Sequence, residues 1–443
     1  MDTKIIAIFA AAIVIAASGT AAFVLLGDKD DDLKQKDVTG RLVIYGNANN
    51  DDYLDNDDVS FLQNLIDGAT WNKEKYPFAD TNADGKISDE DMILLKKFLA
   101  GENTEMKYMD YVGTINSIQF PLSGKISASY LYGLDAAIIL GCYEDVIGAD
   151  HYTIVEASSP ELKYPGFDKL INLGNITFGD ASLETLLTTD TKIMFGYGGD
   201  EITILQQRLK DAGSSIQIVN LAMSEYAGHG CDSLGSIITL GVMMQKEKAA
   251  YKYLDFCDTI LDKINKKASS LDKIEFMMPY IEYSMPSETT TDILTIGTDG
   301  NIFAPTYTVY RLPLKDIAKP GASGRYVTSI ESILAANPEH LIICQWGNSN
   351  LNETYQQGYN NFKAFADCYK TSDAYKSGQV YGISYETFGT FPGIAALALL
   401  ASYIWPDDFD SDYGWMMLQK YYDNFTKMDI DVKKVEGIAP YKL

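Results

Sequence analysis

Arginine is scarce in this chain of 443 residues, where only Arg41, Arg208, Arg311 and Arg325 occur. With lysine they make 36 cations against 61 Asp and Glu, a formal net charge of −25. Phosphate backbones are held by clustered positive charge, so this balance excludes nucleic acid as a partner. It suits a solvated exterior, cation binding or a basic protein partner. The three histidines, His151, His229 and His340, are too scattered for an imidazole metal site. Five cysteines include no CxxC pair, which excludes zinc-ribbon and thioredoxin-like readings. Their odd number leaves at least one thiol free, and so sparse a set is no disulfide scaffold. No GxSxG run is present, and hydrolytic chemistry is not indicated. What the chain does have is 46% apolar residues, enough for large packed cores, and length for about three domains.

Ile5 to Leu26 is free of charge, and as a helix would extend about 33 Å, enough to cross a bilayer core. Lys4 precedes it and the acidic stretch Asp28–Asp32 follows, which favours a chain facing outward. We expect an uncleaved membrane anchor over 1–27, then an acidic linker over 28–40. A removed signal peptide is the alternative, although its apolar region is usually shorter. Both place the rest of the chain outside the cytoplasm; a buried helix is the third reading.

Asp80, Asn82, Asp84, Ser88 and Asp91 put side-chain oxygens at positions 1, 3, 5, 9 and 12 of a loop, with Gly85 at 6 and the Lys86 carbonyl at 7. That is the EF-hand ligand spacing, in which Ca2+ takes six to eight oxygens and glycine allows a sharp turn. The spacing predicts a helix next, with Met92, Leu95 and Leu99 on one face. Asn47, Asn49, Asp51, Asp55 and Asp58 repeat the pattern 33 residues earlier, with the Tyr53 carbonyl at position 7 and Asp52 where glycine is expected. The following helix carries Val59, Leu62, Leu65 and Ile66. This duplicated loop and helix, with Asp at position 12, resembles the type I dockerin module over 41–107. The resemblance implies calcium-coupled folding and a cohesin-type partner, or packing against its own chain.

Beyond Lys107 short apolar strands alternate with amphipathic helices, the pattern of α/β lobes with mostly parallel sheets. Strands are predicted at Lys192–Gly196, Ile216–Val219, Ile274–Met278, Leu341–Gln345 and Gln379–Ile383. One helix is predicted from Leu234 to Lys267, long enough to join two lobes. Loops at the carboxyl ends of such strands are where α/β sheets place ligands. That rule selects Gly196 to Asp200, with Tyr197 and Gly198, and Gln345 to Asn348, with Trp346. His151, Tyr152 and Tyr385 follow strands by the same logic. Aromatic faces suit a flat or macrocyclic ligand, and packing is the competing role of each ring.

Several segments resemble class III substrate-binding proteins of ABC importers. Gly141-Cys-Tyr-Glu-Asp-Val-Ile-Gly148 is similar to their LGxxDRVVG turn. Ser182-Leu-Glu184-Thr-Leu-Leu and Ser329-Ile-Glu331-Ser-Ile-Leu repeat one motif in two halves, and Gly393 to Phe409 is similar to the LAxxLYPexF helix. Asp190-Thr191 and the segment Thr114–Tyr130 depart from the family pattern. The resemblance implies two Rossmann-like lobes, 108–228 and 271–443, joined by an interlobe helix within 229–270, with ligand in the cleft between them. It implies a non-enzymatic role: capture of an iron-siderophore, corrinoid or haem-type ligand for an ABC permease and ATPase. Glu184 and Glu331 would dock on the permease. Arg311 or Arg325 would neutralise an anionic chelate, with a surface salt bridge as the alternative. A scaffolding protein that recruits a cohesin-bearing partner is the rival function. An α/β enzyme is the third, without a cysteine pattern for a cluster.

Overall fold

The computed structural model describes residues 40–443, except 111–112, 157–159, 177–178, 222–232, 283–299, 304–311, 317–324, 329, 347–353, 389 and 436–439. The apolar run Ile5–Leu26 and Arg311 therefore lie outside the described residues. Among the described residues, no helix is long and apolar enough to cross a membrane. The chain divides into two compact units, the first mainly 40–155, 169–221 and 233–254, the second mainly 255–443.

Helices α1 (Asn56–Ile66) and α2 (Asp89–Leu99) each open with a capping box. Asp55 accepts from the Asp57 amide while Asp58 accepts from the Asp55 amide at 2.9 Å. Ser88 and Asp91 do the same in the second copy, where the Ser88 amide donates to Asp91 at 2.8 Å. Each box satisfies amides that a helix start leaves open. Leu62, Leu65, Met92 and Leu95 then pack with Ala48 and Ala79 in one small core. Leu99, expected on that face, is 37% exposed, and Phe98 is the buried residue instead.

This segment is not a separate body. Strand β1 (Thr104–Met109) pairs antiparallel with β2 (Ile115–Phe120), from Thr104↔Phe120 to Met109↔Ile115. The buried Tyr108 hydroxyl donates to the Ile218 carbonyl at 3.3 Å and accepts from the Asn220 amide at 3.4 Å. Rings of Tyr53 and Tyr251 meet at 4.7 Å, and Phe98 meets Phe120 edge-on at 5.8 Å. The duplicated loops and the first lobe thus belong to the same compact unit.

That unit is built on a five-stranded parallel sheet of β3 (Lys125–Ala128), β4 (Val146–Ala149), β5 (Ile171–Asn172), β6 (Thr191–Gly196) and β7 (Gln217–Asn220). Their spatial order is β5-β4-β3-β6-β7, and every pairing is parallel. The chain moves outward one way from β3 through β5, then crosses back to β6, the doubly wound arrangement of a Rossmann-like lobe. Helices α3 (Tyr130–Ile139), α4 (His151–Glu156), α5 (Leu183–Thr188) and α6 (Asp200–Asp211) belong to its connections. Ile202, Leu205 and Leu209 give α6 its buried face, packed with Met194 and Ile218.

The single helix expected over Leu234–Lys267 is two, α7 (Ser233–Met243) and α8 (Glu247–Ala268). Gln245 adopts a left-handed φ of 56°, and the Lys246 amide closes back on the Gly241 carbonyl at 2.6 Å. A Cβ on Gly241 would stand 2.5 Å from that of Ala250, so the turn depends on glycine there. The boundary between the units falls inside α8, at Leu254–Asp255.

The second unit holds an eight-stranded mixed sheet. Strands β8 (Ile274–Met277) and β9 (Pro279–Glu282) run parallel to β13 (His340–Trp346), which is also parallel to β14 (Val380–Ser384). Strand β11 (Leu314–Asp316) pairs with β8, while β10 (Gly300–Phe303) pairs with β9 and carries β12 (Arg325–Thr328) beyond it. The terminal β15 (Tyr441–Lys442) pairs antiparallel with β14. Helices α9 (Ile330–Ala336) and α10 (Tyr355–Ala366) contribute Ile333, Phe362 and Phe365 to its core, and α11 (Tyr385–Phe388) follows β14. The apolar α12 (Gly393–Ile404) packs on α13 (Ser411–Phe425), where a Cβ on Gly414 would meet the Leu399 backbone at 2.6 Å.

Candidate functional site

The carboxyl edge of the first sheet reverses its winding between β3 and β6, where an α/β sheet opens a crevice. Ser129 follows β3 and Tyr197 follows β6. The Tyr197 amide donates to Ser129 Oγ at 2.7 Å, and the Ser129 amide donates to the Phe195 carbonyl at 2.9 Å. Asn220, ending β7, donates from Nδ2 to the Gly198 carbonyl at 2.9 Å. Three strands thus pin the Gly196–Asp200 turn. Gly198 has a φ of 154°, and a Cβ there would press Ile202 at 3.1 Å, so a side chain is disfavoured.

Four tyrosines cluster on this edge. Tyr130 stacks on Tyr152 with centroids 5.0 Å apart and planes 19° apart. Tyr132 lies 4.6 Å from Tyr130 and meets Tyr197 edge-on at 5.2 Å, while Tyr130 and Tyr197 are 6.0 Å apart. Such offset and edge-to-face contacts are the favourable aromatic geometries. Tyr130 and Tyr132 are buried, whereas Tyr152 and Tyr197 are half-buried. Tyr130 also holds a left-handed φ of 64°, a conformation that costs a residue with a Cβ about 1–2 kcal/mol. Asn220 Oδ1, buried here, accepts no hydrogen bond among the described residues.

Tyr152 and Tyr197 are therefore brought together as the carboxyl-edge rule expects, through Tyr130 and Tyr132, which sequence reasoning passed over. The same rule applied to β3 selects them. His151 is exposed and its Nδ1 lies 3.0 Å from Asn172 Nδ2, beside the tyrosine cluster rather than within its ring contacts. In the second sheet the Trp346 backbone ends β13 and Tyr385 directly follows β14, two adjacent parallel strands paired Gln345↔Ser384. Arg325 does not share that edge. It begins β12 opposite Phe303, and β12 runs in the same direction as β9, so by register Arg325 is level with Met278 and Ile342, short of the carboxyl ends. Glu184 and Glu331 are exposed in the first turns of α5 and α9, where Ser182 caps the former by accepting from Thr185.

The two acidic loops have matching internal geometry. Asp80 accepts from the Asp84 and Gly85 amides, Asn82 from Asp84, and Asp84 from Lys86, within 2.6–3.1 Å. In the first loop Asn47 and Asn49 accept from the Asp51 amide and Asp51 accepts from Tyr53. Asn50 and Ala83, at position 4 of each loop, share a left-handed φ. Asp58 and Asp91 close the loops by accepting from Asn49 and Asn82. Burial pushes Asp58 up to about 7 and raises Asp80 and Asp51 as well. Asp52, where glycine was expected, turns out of the loop to pair with Arg41. Among the described residues no three Asp, Glu, His or Cys side chains converge as a metal site by themselves. The loops offer instead a mixed set of Asp, Asn, Ser and backbone oxygens, the donor chemistry of a hard cation.

No protein-family model and no curated protein sequence matches this chain. Solved structures do share its fold. The TroA-like periplasmic binding protein FepB from Veillonella parvula superposes with a TM-score of 0.59 at 14% identity, over 76% of this chain and 99% of its own. CeuE from Helicobacter pylori, solved as a nickel–histidine complex, gives 0.52 at 16% identity over 74% and 97%. A periplasmic solute binding protein from V. parvula gives 0.53 at 14% over 76% and 98%. The α/β architecture is that of TroA-like periplasmic binding proteins, as the sequence motifs implied.

Proposed function

We propose that this chain is an extracytoplasmic solute-binding protein that captures an iron-siderophore, corrinoid or haem-type ligand for an ABC permease and ATPase, and not an enzyme. The carrying observation is the tyrosine cluster at the winding reversal of a sheet whose fold is shared with periplasmic binding proteins. Tyr152 and Tyr197 present partly exposed rings that a broad ligand face can cover, the latter on a turn held by Ser129 and Asn220. Preorganisation of this kind reduces the ordering cost of binding. Trp346 and Tyr385 hold corresponding positions on the second sheet, and His151 flanks the first. The scaffolding alternative is not favoured, because the dockerin-like segment packs within the first unit and shares strand pairing with it.

Titration of the full chain with a ferric tris-hydroxamate, a corrinoid and haem, followed by tyrosine and tryptophan fluorescence, tests the reading. Tyr197→Ala and Tyr152→Ala should each weaken binding by about 1–3 kcal/mol, the loss of a buried aromatic anchor. Unchanged affinity in both would place the ligand elsewhere, and no binding of any probe would end the proposal.

We also assign Glu184 and Glu331 to permease docking. Two separated charges orient a partner, and rim ion pairs contribute register and on-rate more than affinity. Glu184→Lys with Glu331→Lys should leave ligand affinity intact and abolish uptake. Ca2+ would be held by Asp80, Asn82, Asp84, Ser88 and Asp91 with the Lys86 carbonyl, and by the corresponding first-loop oxygens of Asn47, Asn49, Asp51, Tyr53, Asp55 and Asp58. Its role there is to neutralise buried carboxylates and tie loop to helix.

A further inference from the structure

Cations are segregated along the first sheet. Lys125 and Lys192 stand at the amino ends of β3 and β6, paired with Asp145 at 3.0 Å and Asp190 at 3.3 Å, and Lys169 precedes β5. The sequence has neither Lys nor Arg between Lys125 and Lys163, Lys169 and Lys192, Lys192 and Arg208, or Lys210 and Lys246. Every connection leaving a carboxyl end of β3 to β7 begins inside one of these runs. The second sheet repeats the arrangement: the chain leaving β9, β13 and β14 has no Lys or Arg before Arg311, Lys363 and Lys420 respectively. Arg325, the cation that could have served an anionic ligand, begins its strand level with Ile342, short of the carboxyl ends.

What the first edge offers is electron-rich. It has tyrosine faces, the unbonded acceptor Oδ1 of the buried Asn220, and the exposed carboxylates of Asp200 and Glu201 at the start of α6. Its bond to the Gly198 carbonyl fixes Nδ2 as the donor, so the free atom of that amide is an acceptor. An anionic ligand would be desolvated here against like charge, whereas a cation gains from ring faces and from the field of a chain at −25.

We infer that the ligand carries no net negative charge: a bulky chelate or macrocycle, uncharged or cationic, with hydrogen-bond donors on its rim. This rests on the reading of the chain as a chelate-binding protein. The test is equilibrium titration of the full chain with four probes. They are a monocationic ferric tris-hydroxamate, an uncharged corrinoid, a trianionic ferric tris-catecholate and propionate-bearing haem. At least one of the first two should bind about a hundredfold or more tighter than either anion, and which one binds separates the two sources of such chemistry. Added salt should weaken the cation and leave the corrinoid unchanged. Asp200→Lys with Glu201→Lys should narrow the preference by about tenfold or more, by favouring the anions. Equal or tighter binding of the tris-catecholate or haem by the unaltered chain would overturn the charge inference while leaving chelate binding intact. Failure of all four probes would overturn both.

Discussion

Tyr130 is where strain, packing and binding meet, and two substitutions separate them. Its ring is buried and in contact with the rings of Tyr132, Tyr152 and Tyr197. Truncation of a buried aromatic costs about 3–5 kcal/mol, so Tyr130→Ala should destabilise the first unit by that order. Alanine keeps the left-handed penalty at φ 64°. Glycine removes it, a relief of about 1–2 kcal/mol, against an unfolded-chain entropy cost of about 0.5–1 kcal/mol. The relief wins, so Tyr130→Gly should be more stable than Tyr130→Ala by about 0.5–1 kcal/mol. Urea unfolding followed by near-ultraviolet circular dichroism reads the difference directly. Ligand affinity should fall alike in both variants, because Tyr152 and Tyr197 lose the same support. Glycine proving no more stable than alanine would refute the strain argument, and unchanged affinity would refute the placement of the site.

His340 is buried, its Nδ1 unbonded and its ring stacked on Tyr381, and burial with nearby Lys442 lowers it from 6.5 to about 4. The unfolded chain then binds the proton more readily, so stability is full above pH 6.5 and falls toward pH 4, by on the order of 3 kcal/mol; His340→Gln should flatten that limb of a pH-dependent melt. Gly382→Ala would set a Cβ 2.5 Å from the buried Phe362 ring, and overpacking of this kind should lower stability by about 1–3 kcal/mol in urea unfolding. Calcium at a hundredfold excess over its dissociation constant should stabilise the first unit by about 2.7 kcal/mol for each loop it occupies. Calorimetry with calcium and with chelator checks this, and Asp80→Asn with Asp91→Asn should remove the increment from the second loop.

The strand ends read from sequence lie within about a residue of those observed, as at Lys192–Gly196 against Thr191–Gly196. Short apolar runs bounded by polar turns carry that information locally. The loop and helix copies were legible for the same reason, since capping boxes and ligand spacing are both short-range. Tyr130 and Tyr132 escaped because their partners lie 22 to 67 residues away and meet only once β3, β4 and β6 are ordered in the sheet. The break at Gln245 escaped because its residues continue a helical pattern; only the close approach of Gly241 to Ala250 reveals it. Asp52 looked like a defective loop residue until Arg41 supplied its partner across the turn.

Tyr108 bears on how such a chain can be cut and recombined. The junction after Lys107, natural by motif, passes through β1: it removes Thr104–Lys107 and leaves Tyr108, whose phenol bonds Ile218 and Asn220, at a loose chain end. A chain begun there would leave β2 paired only at Asn116 and Ile115 and bare Phe120 where Phe98 had covered it, an open strand edge beside exposed aromatic surface. The acidic-loop segment is therefore a poor cassette. Transplanted alone it lacks the hairpin strand that anchors it, and deleted it takes one wall of the lobe with it.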